Sequence, residues 1–341
     1  MILFLAAFFI GLAFHGRELF IPCKVSGQDG GNVQPIMTDE WIRTIAFRKQ
    51  RVKWACQKHG TGARSLKDPP LSEEKKYIWV SDALQLVFCE VPKAASTSWK
   101  KSILQALGVY REISSLNVHA FDFPKYLRRL DTYSTNETEY RLKNYLKFFV
   151  LRHPADRLVS AYRSKIEVWW PGKPRALATV GNYVRKHYQN LPEIYPTDVP
   201  FNDSELVRYI EEKNKTGEEL WRNSHVSNVT FRDFIRYIGD HPVTTDKHWT
   251  PASRLCHPCF IDYDVVAYAE TLTTDAANIL QLIEADTTLK FPDSNRQPCP
   301  QCLRTSKMFE PVSEEEMSRI REIYELDWAM RVGETDIEKS P

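Results

Sequence analysis

The stretch FFVLRHPADRLVSAY, residues 148–162, joins a strand signal to a helix signal with no linker between them. Its apolar run predicts a buried strand over 147–151, and Pro154, which suits the first turn of a helix, predicts a helix over 155–165. Arg152 therefore stands at the carboxyl end of a strand, where α/β sheets bind their ligands.

Two polar side chains of this stretch have chemistry suited to phosphate. Arg152 offers a planar fork of donors, and Ser160, almost two turns into the predicted helix, adds a hydroxyl. The alternative is that Arg152 pairs with Asp156 as part of the electrostatics of the helix start. The residues alone leave both interpretations open.

A second stretch, VPKAASTSW at residues 91–99, repeats the order of strand, turn and helix. A strand is predicted over 84–90 and a helix over 98–107. Such a turn can aim backbone N–H groups at an anion, and Lys93 adds a positive charge. The stretch contains no glycine, whereas a Walker A loop needs two, so a magnesium-dependent kinase is disfavoured. The alternative is an ordinary turn with a solvated lysine.

The rest of the chain continues to alternate strand-like and helix-like segments. This alternation predicts an α/β domain with a central, largely parallel sheet flanked by helices. Further helices are predicted over 230–238, 273–284 and 313–330.

The N-terminal residues favour entry into the secretory pathway. Residues 2–14 carry no charged side chain, a run shorter than the roughly 20 residues of a spanning helix but typical of a signal-peptide core. We assign 1–16 to a signal peptide or signal-anchor, with a buried helix as the alternative. A stem over 17–75, containing a helix from residue 38 or 39 to about 58, precedes a domain over 76–335.

The sequons agree with this compartment, and the charge bears on the partners. Sequons of the form Asn-x-Ser/Thr begin at Asn136, Asn202, Asn214 and Asn228. The net charge is +2, with basic residues scattered among acids, so no nucleic-acid partner is expected.

The chain has seven cysteines, and their spacing also bears on the compartment. The pairs Cys256/Cys259 and Cys299/Cys302 predict disulfides in an oxidising lumen, with a four-thiolate zinc site as the alternative. Cys89, in an apolar strand, is expected as a buried free thiol.

Together, the two phosphate-suited stretches resemble the binding elements of sulfotransferases for 3′-phosphoadenosine-5′-phosphosulfate (PAPS). Residues 91–99 resemble the 5′-phosphosulfate loop, and residues 148–165 resemble the 3′-phosphate element. Four further segments are similar to Golgi carbohydrate sulfotransferases that act on chondroitin, dermatan and related glycans: HWTP (248–251), LCHPC (255–259), IDYD (261–264) and ETL (270–272). The resemblance implies a P-loop-like sulfotransferase fold. The loop AASTS also resembles that of uronyl 2-O-sulfotransferases, which remain an alternative.

The resemblance implies an enzyme that moves a sulfuryl group from PAPS to a hydroxyl of a glycan or glycosaminoglycan, with a chondroitin-type acceptor favoured and no metal required. Contacts to PAPS are expected from Lys93, Ala94, Ala95, Ser96, Thr97, Ser98, Trp99, Arg152 and Ser160. Lys93 would stabilise charge on the bridging oxygen. His119, which lies between the two motifs, would accept the proton of the acceptor hydroxyl, with His248 as the alternative base.

The same resemblance implies a place of action. The enzyme would be a type II membrane protein of the Golgi lumen, held to the membrane by its N-terminal segment, or would be secreted if that segment is cleaved. The remaining alternative is a non-catalytic, secreted glycan-binding protein with a degenerate sulfotransferase fold.

Overall fold

The structure, a computed structural model, describes residues 13–14, 17–18, 37–59, 75–109, 123–167, 174–193, 228–242, 246–283, 285, 291 and 304–331. One unit spans Met1–Pro35 and contains an antiparallel pair of two-residue strands, β1 (Ala13–Phe14) and β2 (Arg17–Glu18). Most of the predicted signal segment lies outside the described residues. Among the described helices, none combines the length and apolar character needed to cross a membrane.

The second unit, Ile36–Pro341, is built on a five-stranded sheet in the order β5–β3–β4–β6–β7. Its strands are β3 (Ile78–Ser81), β4 (Leu86–Cys89), β5 (Arg128–Arg129), β6 (Leu146–Leu151) and β7 (Val265–Tyr268). Strands β4, β6 and β7 are mutually parallel, and β3 runs antiparallel to both of its neighbours. Four of the five strands therefore point the same way, which confirms the predicted mixed α/β architecture and its largely parallel sheet.

Helices connect and flank these strands. The α-helices of the described residues are α1 (Asp39–His59), α2 (Ser96–Ala106), α3 (Phe123–Tyr126), α4 (Thr135–Asn144), α5 (Pro154–Lys165), α6 (Pro174–His187), α7 (Phe231–Asp240), α8 (Ala252–Cys256), α9 (Leu272–Leu282), α10 (Thr305–Phe309), α11 (Glu314–Ile323) and α12 (Glu325–Arg331). The helices predicted over 98–107, 155–165, 230–238 and 273–284 correspond to α2, α5, α7 and α9, respectively.

The predicted helix over 313–330 is wrong as a single element. Tyr324 departs from helical geometry (φ −106°, ψ 15°) and separates α11 from α12. Its side chain is buried, and its hydroxyl donates to the carbonyl of Trp249. This tertiary contact fixes the chain where the helix breaks, although the local sequence predicts a continuous helix.

Helix α1 packs into the same core as the sheet. Its buried side chains follow a helical repeat: Trp41, Ile45, Val52 and Ala55. Arg48 forms a buried ion pair with Asp275 of α9 at 2.8 Å. Although residues 17–75 are predicted as a stem, α1 is thus part of the compact unit that begins at Ile36.

Two disulfides tie distant elements together. Cys56 of α1 bonds to Cys259, and Cys89 of β4 bonds to Cys256 of α8. Disulfides at Cys256 and Cys259 are therefore confirmed, whereas the expectation of a free thiol at Cys89 is wrong. Cys256 and Cys259 do not bond to each other. A left-handed His257 (φ 48°) ends α8 between them, and each reaches a cysteine on a different element. Cys299 and Cys302 lie outside the described residues.

Candidate active site

The two predicted phosphate motifs meet at the carboxyl ends of β4 and β6. These strands are parallel neighbours, with Cys89 beside Phe149, so the loops that leave them lie side by side. The Nη1 group of Arg152 donates to the carbonyl oxygen of Lys93 at 2.9 Å. This bond joins residues 59 positions apart and brings both motifs into one site.

The loop after β4 turns sharply without a glycine. Lys93 (φ 69°) and Ala95 (φ 60°) both adopt the left-handed region, which costs a non-glycine residue about 1–2 kcal/mol. Ala95 is also the N-cap of α2 and makes no side-chain capping bond. Strained backbone of this kind persists where the surrounding fold imposes it, and it clusters at ligand-binding loops.

A cavity of about 270 Å³ lies between this loop and α5. It is lined by Lys93, Arg152, Asp156, Val159, Ser160, Arg163, Ser164 and Thr305. Three cationic side chains are thus opposed by one carboxylate, that of Asp156, which accepts a hydrogen bond from the Thr305 hydroxyl. The excess of positive charge suits an anionic ligand.

Five lining residues are absent from the predicted site: Asp156, Val159, Arg163, Ser164 and Thr305. Ser164 accepts a hydrogen bond of 2.8 Å from the Nζ of Lys93, and its spacing from Ser160 is a usable signal, because residues four apart share a helix face. Arg163 and Thr305 carry no comparable signal. Thr305 in particular reaches the cavity from α10 through a tertiary contact that no local pattern reveals.

Electrostatics favour an anion beside Arg152. Burial lowers the pKa of Arg152 below its ordinary value, and the carboxylates of Asp156 and Glu270 oppose this only in part. A phosphate placed against the guanidinium would offset the lost hydration with a charge-assisted hydrogen bond.

Trp99 has to be removed from the predicted binding residues. It is fully buried, and its ring packs against Phe148 and Phe291 with centroids 4.5 and 4.9 Å away. Its backbone N–H donates to the carbonyl of Ala95 within the first turn of α2. The side chain therefore anchors the loop to the core instead of facing a ligand.

His248 lies in the loop before α8, beside a carboxylate. Both its backbone N–H (2.8 Å) and its Nδ1 (2.7 Å) contact the same oxygen of Asp246. Since the carboxylate can only accept, Nδ1–H is the donor, which leaves Nε2 with the lone pair. Burial lowers the pKa of His248, although Asp246 opposes the shift, and the net effect favours the neutral imidazole. His119 lies outside the described residues.

A basic cavity at the carboxyl ends of parallel strands, with a neutral histidine in a neighbouring loop segment, defines an α/β protein built to bind an anionic group. Comparison with known proteins narrows this class. The model of the sulfotransferase family matches residues 76–330. The chain therefore belongs to the sulfotransferase family, and the curated relatives described below are carbohydrate sulfotransferases.

Three relatives illustrate the similarity. Mouse (Mus musculus) carbohydrate sulfotransferase 11 is 30% identical over 291 residues, covering 83% of this chain and 74% of the relative. Mouse carbohydrate sulfotransferase 8 is 29% identical, with 92% and 72% covered. Mouse carbohydrate sulfotransferase 12 is 33% identical, with 69% and 55% covered. No solved structure gives a significant match.

Proposed function

We propose that the cavity binds PAPS and that the chain transfers its sulfuryl group to a hydroxyl of a chondroitin-type glycan. One observation carries the proposal: Lys93, Arg152 and Ser160, from two separate sequence motifs, line the same positively charged cavity. The strand–loop–helix units that deliver them support the P-loop-like sulfotransferase fold expected from the sequence.

The donor would be held at both of its anionic ends. Arg152 and Ser160 have the donors to grip the 3′-phosphate, and the loop at 93–98 would face the phosphosulfate. PAPS supplies the sulfuryl group in this reaction. Lys93, held by Ser164, would stabilise the negative charge that develops on the oxygen bridging sulfur and phosphorus.

The described residues favour His248 as the base. Its Nε2 carries a lone pair at neutral pH, and Asp246 fixes both the tautomer and the ring. In this role Nε2 would accept the proton of the sugar hydroxyl as the hydroxyl oxygen attacks sulfur, and Asp246 would stabilise the imidazolium that results. His119 remains the alternative base.

The setting proposed for this reaction is the Golgi lumen. Two disulfides fit an oxidising compartment, and Asn136 and Asn228 of two sequons are exposed, as acceptors of N-linked glycans must be. A glycan acceptor is supported by the names of the three relatives reported above, which are carbohydrate sulfotransferases.

The donor assignment can be tested by calorimetric titration with two nucleotides. Adenosine 3′,5′-bisphosphate carries the 3′-phosphate, and AMP does not. Arg152→Ala should weaken binding of the bisphosphate by about 10- to 100-fold, the effect of losing a hydrogen bond to a charged group, and should leave AMP binding nearly unchanged.

A second variant controls for the contact between Arg152 and the loop. Ser160→Ala leaves the bond from Arg152 to Lys93 intact and should still weaken the bisphosphate selectively, by about fivefold. Equal weakening of both nucleotides in the two variants would refute the assignment of the 3′-phosphate site.

A further inference from the structure

Arg157 of α5 is a fully buried arginine that the proposed chemistry does not use. Only 2% of it is exposed. Its Nε donates to the carbonyl of Pro92 at 2.9 Å, its Nη1 to that of Thr250 at 2.7 Å, and its Nη2 to that of Lys247 at 3.0 Å. Each nitrogen of the guanidinium therefore binds a backbone carbonyl, and these carbonyls come from two different loops.

The positions of these carbonyls relate the two halves of the proposed site. Pro92 immediately precedes Lys93 in the phosphosulfate loop. Lys247 and Thr250 bracket the segment that carries His248. The loops are 155 positions apart (247 minus 92), yet one rigid, planar group spans them. Arg157 thus fixes the donor loop and the histidine loop relative to one another.

A second anchor acts on the same loop. The Nζ of Lys247 lies 3.3 Å from a carboxylate oxygen of Glu90, which follows β4. Glu90 is itself buried and also binds Lys100 of α2 at 2.8 Å. Although burial raises the pKa of Glu90, Lys100 and Lys247 outweigh it and lower the value to about 2, so Glu90 stays ionised. Residue 247 is therefore held by both its backbone and its side chain.

We propose that Arg157 is a positioning residue that sets the geometry between the sulfuryl donor and His248. The inference rests on the proposed function, since it concerns the alignment of those two groups. In-line transfer requires the acceptor oxygen, the sulfur and the leaving oxygen to be aligned, and a misplacement of about 1 Å can lower a rate by roughly 100-fold. Arg157 does not line the cavity and acts through the two loops.

The conservative substitution Arg157→Lys tests whether the three hydrogen bonds of Arg157 matter or only its positive charge. Lysine keeps the positive charge, but its single ammonium does not reproduce a fork across three carbonyls. We expect kcat to fall by about 10- to 100-fold, while the Kd for adenosine 3′,5′-bisphosphate changes by less than about threefold, because Arg152 and Ser160 are untouched.

Arg48→Lys is the matched control. Arg48 is also buried and also binds a carbonyl, that of Val266, together with Asp275. It holds α1 against β7 and α9, and it contacts neither loop of the site. Its variant should lower thermal stability without changing kcat in the folded protein. If Arg157→Lys behaved in the same way, the proposal would be overturned.

Hydrogen exchange gives a readout independent of turnover. In the wild-type protein, adenosine 3′,5′-bisphosphate should slow amide exchange in residues 91–98 and also in residues 246–251, because Arg157 joins the two loops. In Arg157→Lys only residues 91–98 should respond. Protection confined to 91–98 in the wild type would contradict the proposal, and this arm does not depend on how the variant folds. A wild-type protein that failed to bind the bisphosphate would instead refute the proposed function.

Discussion

The helices of this chain begin in two different ways. Helices α4, α7 and α11 each open with a capping box, in which Ser134, Thr230 or Ser313 accepts a bond from the N3 backbone while the N3 side chain accepts from the N-cap. Helices α2 and α5, which follow β4 and β6 at the cavity, begin without a side-chain cap, as do α8, α9 and α10.

The left-handed N-cap residue sets the start of α2 apart from the capped starts. A capping box satisfies the first N–H groups of a helix with the helix's own residues and contributes about 1 kcal/mol. The start of α2 does the opposite, because Ala95 adopts a strained left-handed conformation and offers no capping oxygen. We infer that the capped starts stabilise the fold and that the start of α2 is shaped for an anion.

The largest effect is expected at His248, which lies in a loop and therefore belongs to neither kind of helix start. His248→Gln should lower kcat by about 10²–10⁴-fold, the usual contribution of a positioned base, with donor affinity nearly unchanged. His119→Gln is the paired variant. A folded His248→Gln protein with near-normal turnover, beside a collapse in His119→Gln, would transfer the role of base to His119.

The pH dependence of kcat sharpens the same assignment. Because burial lowers the pKa of His248 from 6.5, the imidazole stays neutral until the pH falls below that value. Protonation then removes the lone pair, so kcat should decline on the acid side of pH 6.5 and remain level above it. This acid limb should be absent from the residual activity of His248→Gln, and its persistence there would exclude His248 as the titrating group.

The next largest effect is expected at the start of α2. Lys93→Ala should lower kcat by about 10²–10³-fold, the effect of removing one group that stabilises transition-state charge. Lys101→Ala, on α2 itself, is the control and should leave kcat within about twofold, as is usual for a substitution outside a site. A comparable loss in both variants would show that α2 matters only for folding.

A smaller effect should follow from placing a carboxylate at the N-cap of α2. Ala95→Asp introduces negative charge where the phosphosulfate is proposed to lie, and it should weaken PAPS binding by at least about tenfold. Ala95→Asn has the same shape without the charge and, like Asp, tolerates the left-handed region better than alanine does. Equal affinities of the two variants would break the inference that this helix start receives an anion.

The smallest effect is expected at a capped start. Ser313→Ala removes the capping oxygen of α11 and should lower the free energy of unfolding by about 1 kcal/mol, measured by urea denaturation. Its kcat should equal that of the wild type. A tenfold loss of kcat in this variant would mean that capped and uncapped starts do not differ in role.

Much of the fold around the proposed donor site could be predicted from the sequence because its signals are local. The apolar run before Arg152 and the proline after it mark a strand and a helix, and parallel neighbouring strands must deliver Lys93 and Arg152 to the same edge. The capping pattern at Ser313 likewise reads directly from the sequence.

The rest depends on contacts between distant segments. Nothing near Arg157 indicates that it binds carbonyls of Lys247 and Thr250, and nothing near Cys89 marks Cys256 as its partner. Trp99 misleads for the same reason, because it follows the loop directly in sequence yet turns into the core. Hydrogen bonds, disulfides and burial across such separations are set by packing rather than by local pattern.

The central claim is that the basic cavity serves sulfuryl transfer to a glycan. The most direct test incubates the purified chain with PAPS labelled in its sulfuryl group and a panel of desulfated glycans that includes chondroitin, then maps the label to a hydroxyl. We expect label on chondroitin in the wild type and about 10²–10³-fold less in Lys93→Ala under the same conditions. A wild-type protein that binds adenosine 3′,5′-bisphosphate but labels no glycan of the panel would contradict the account.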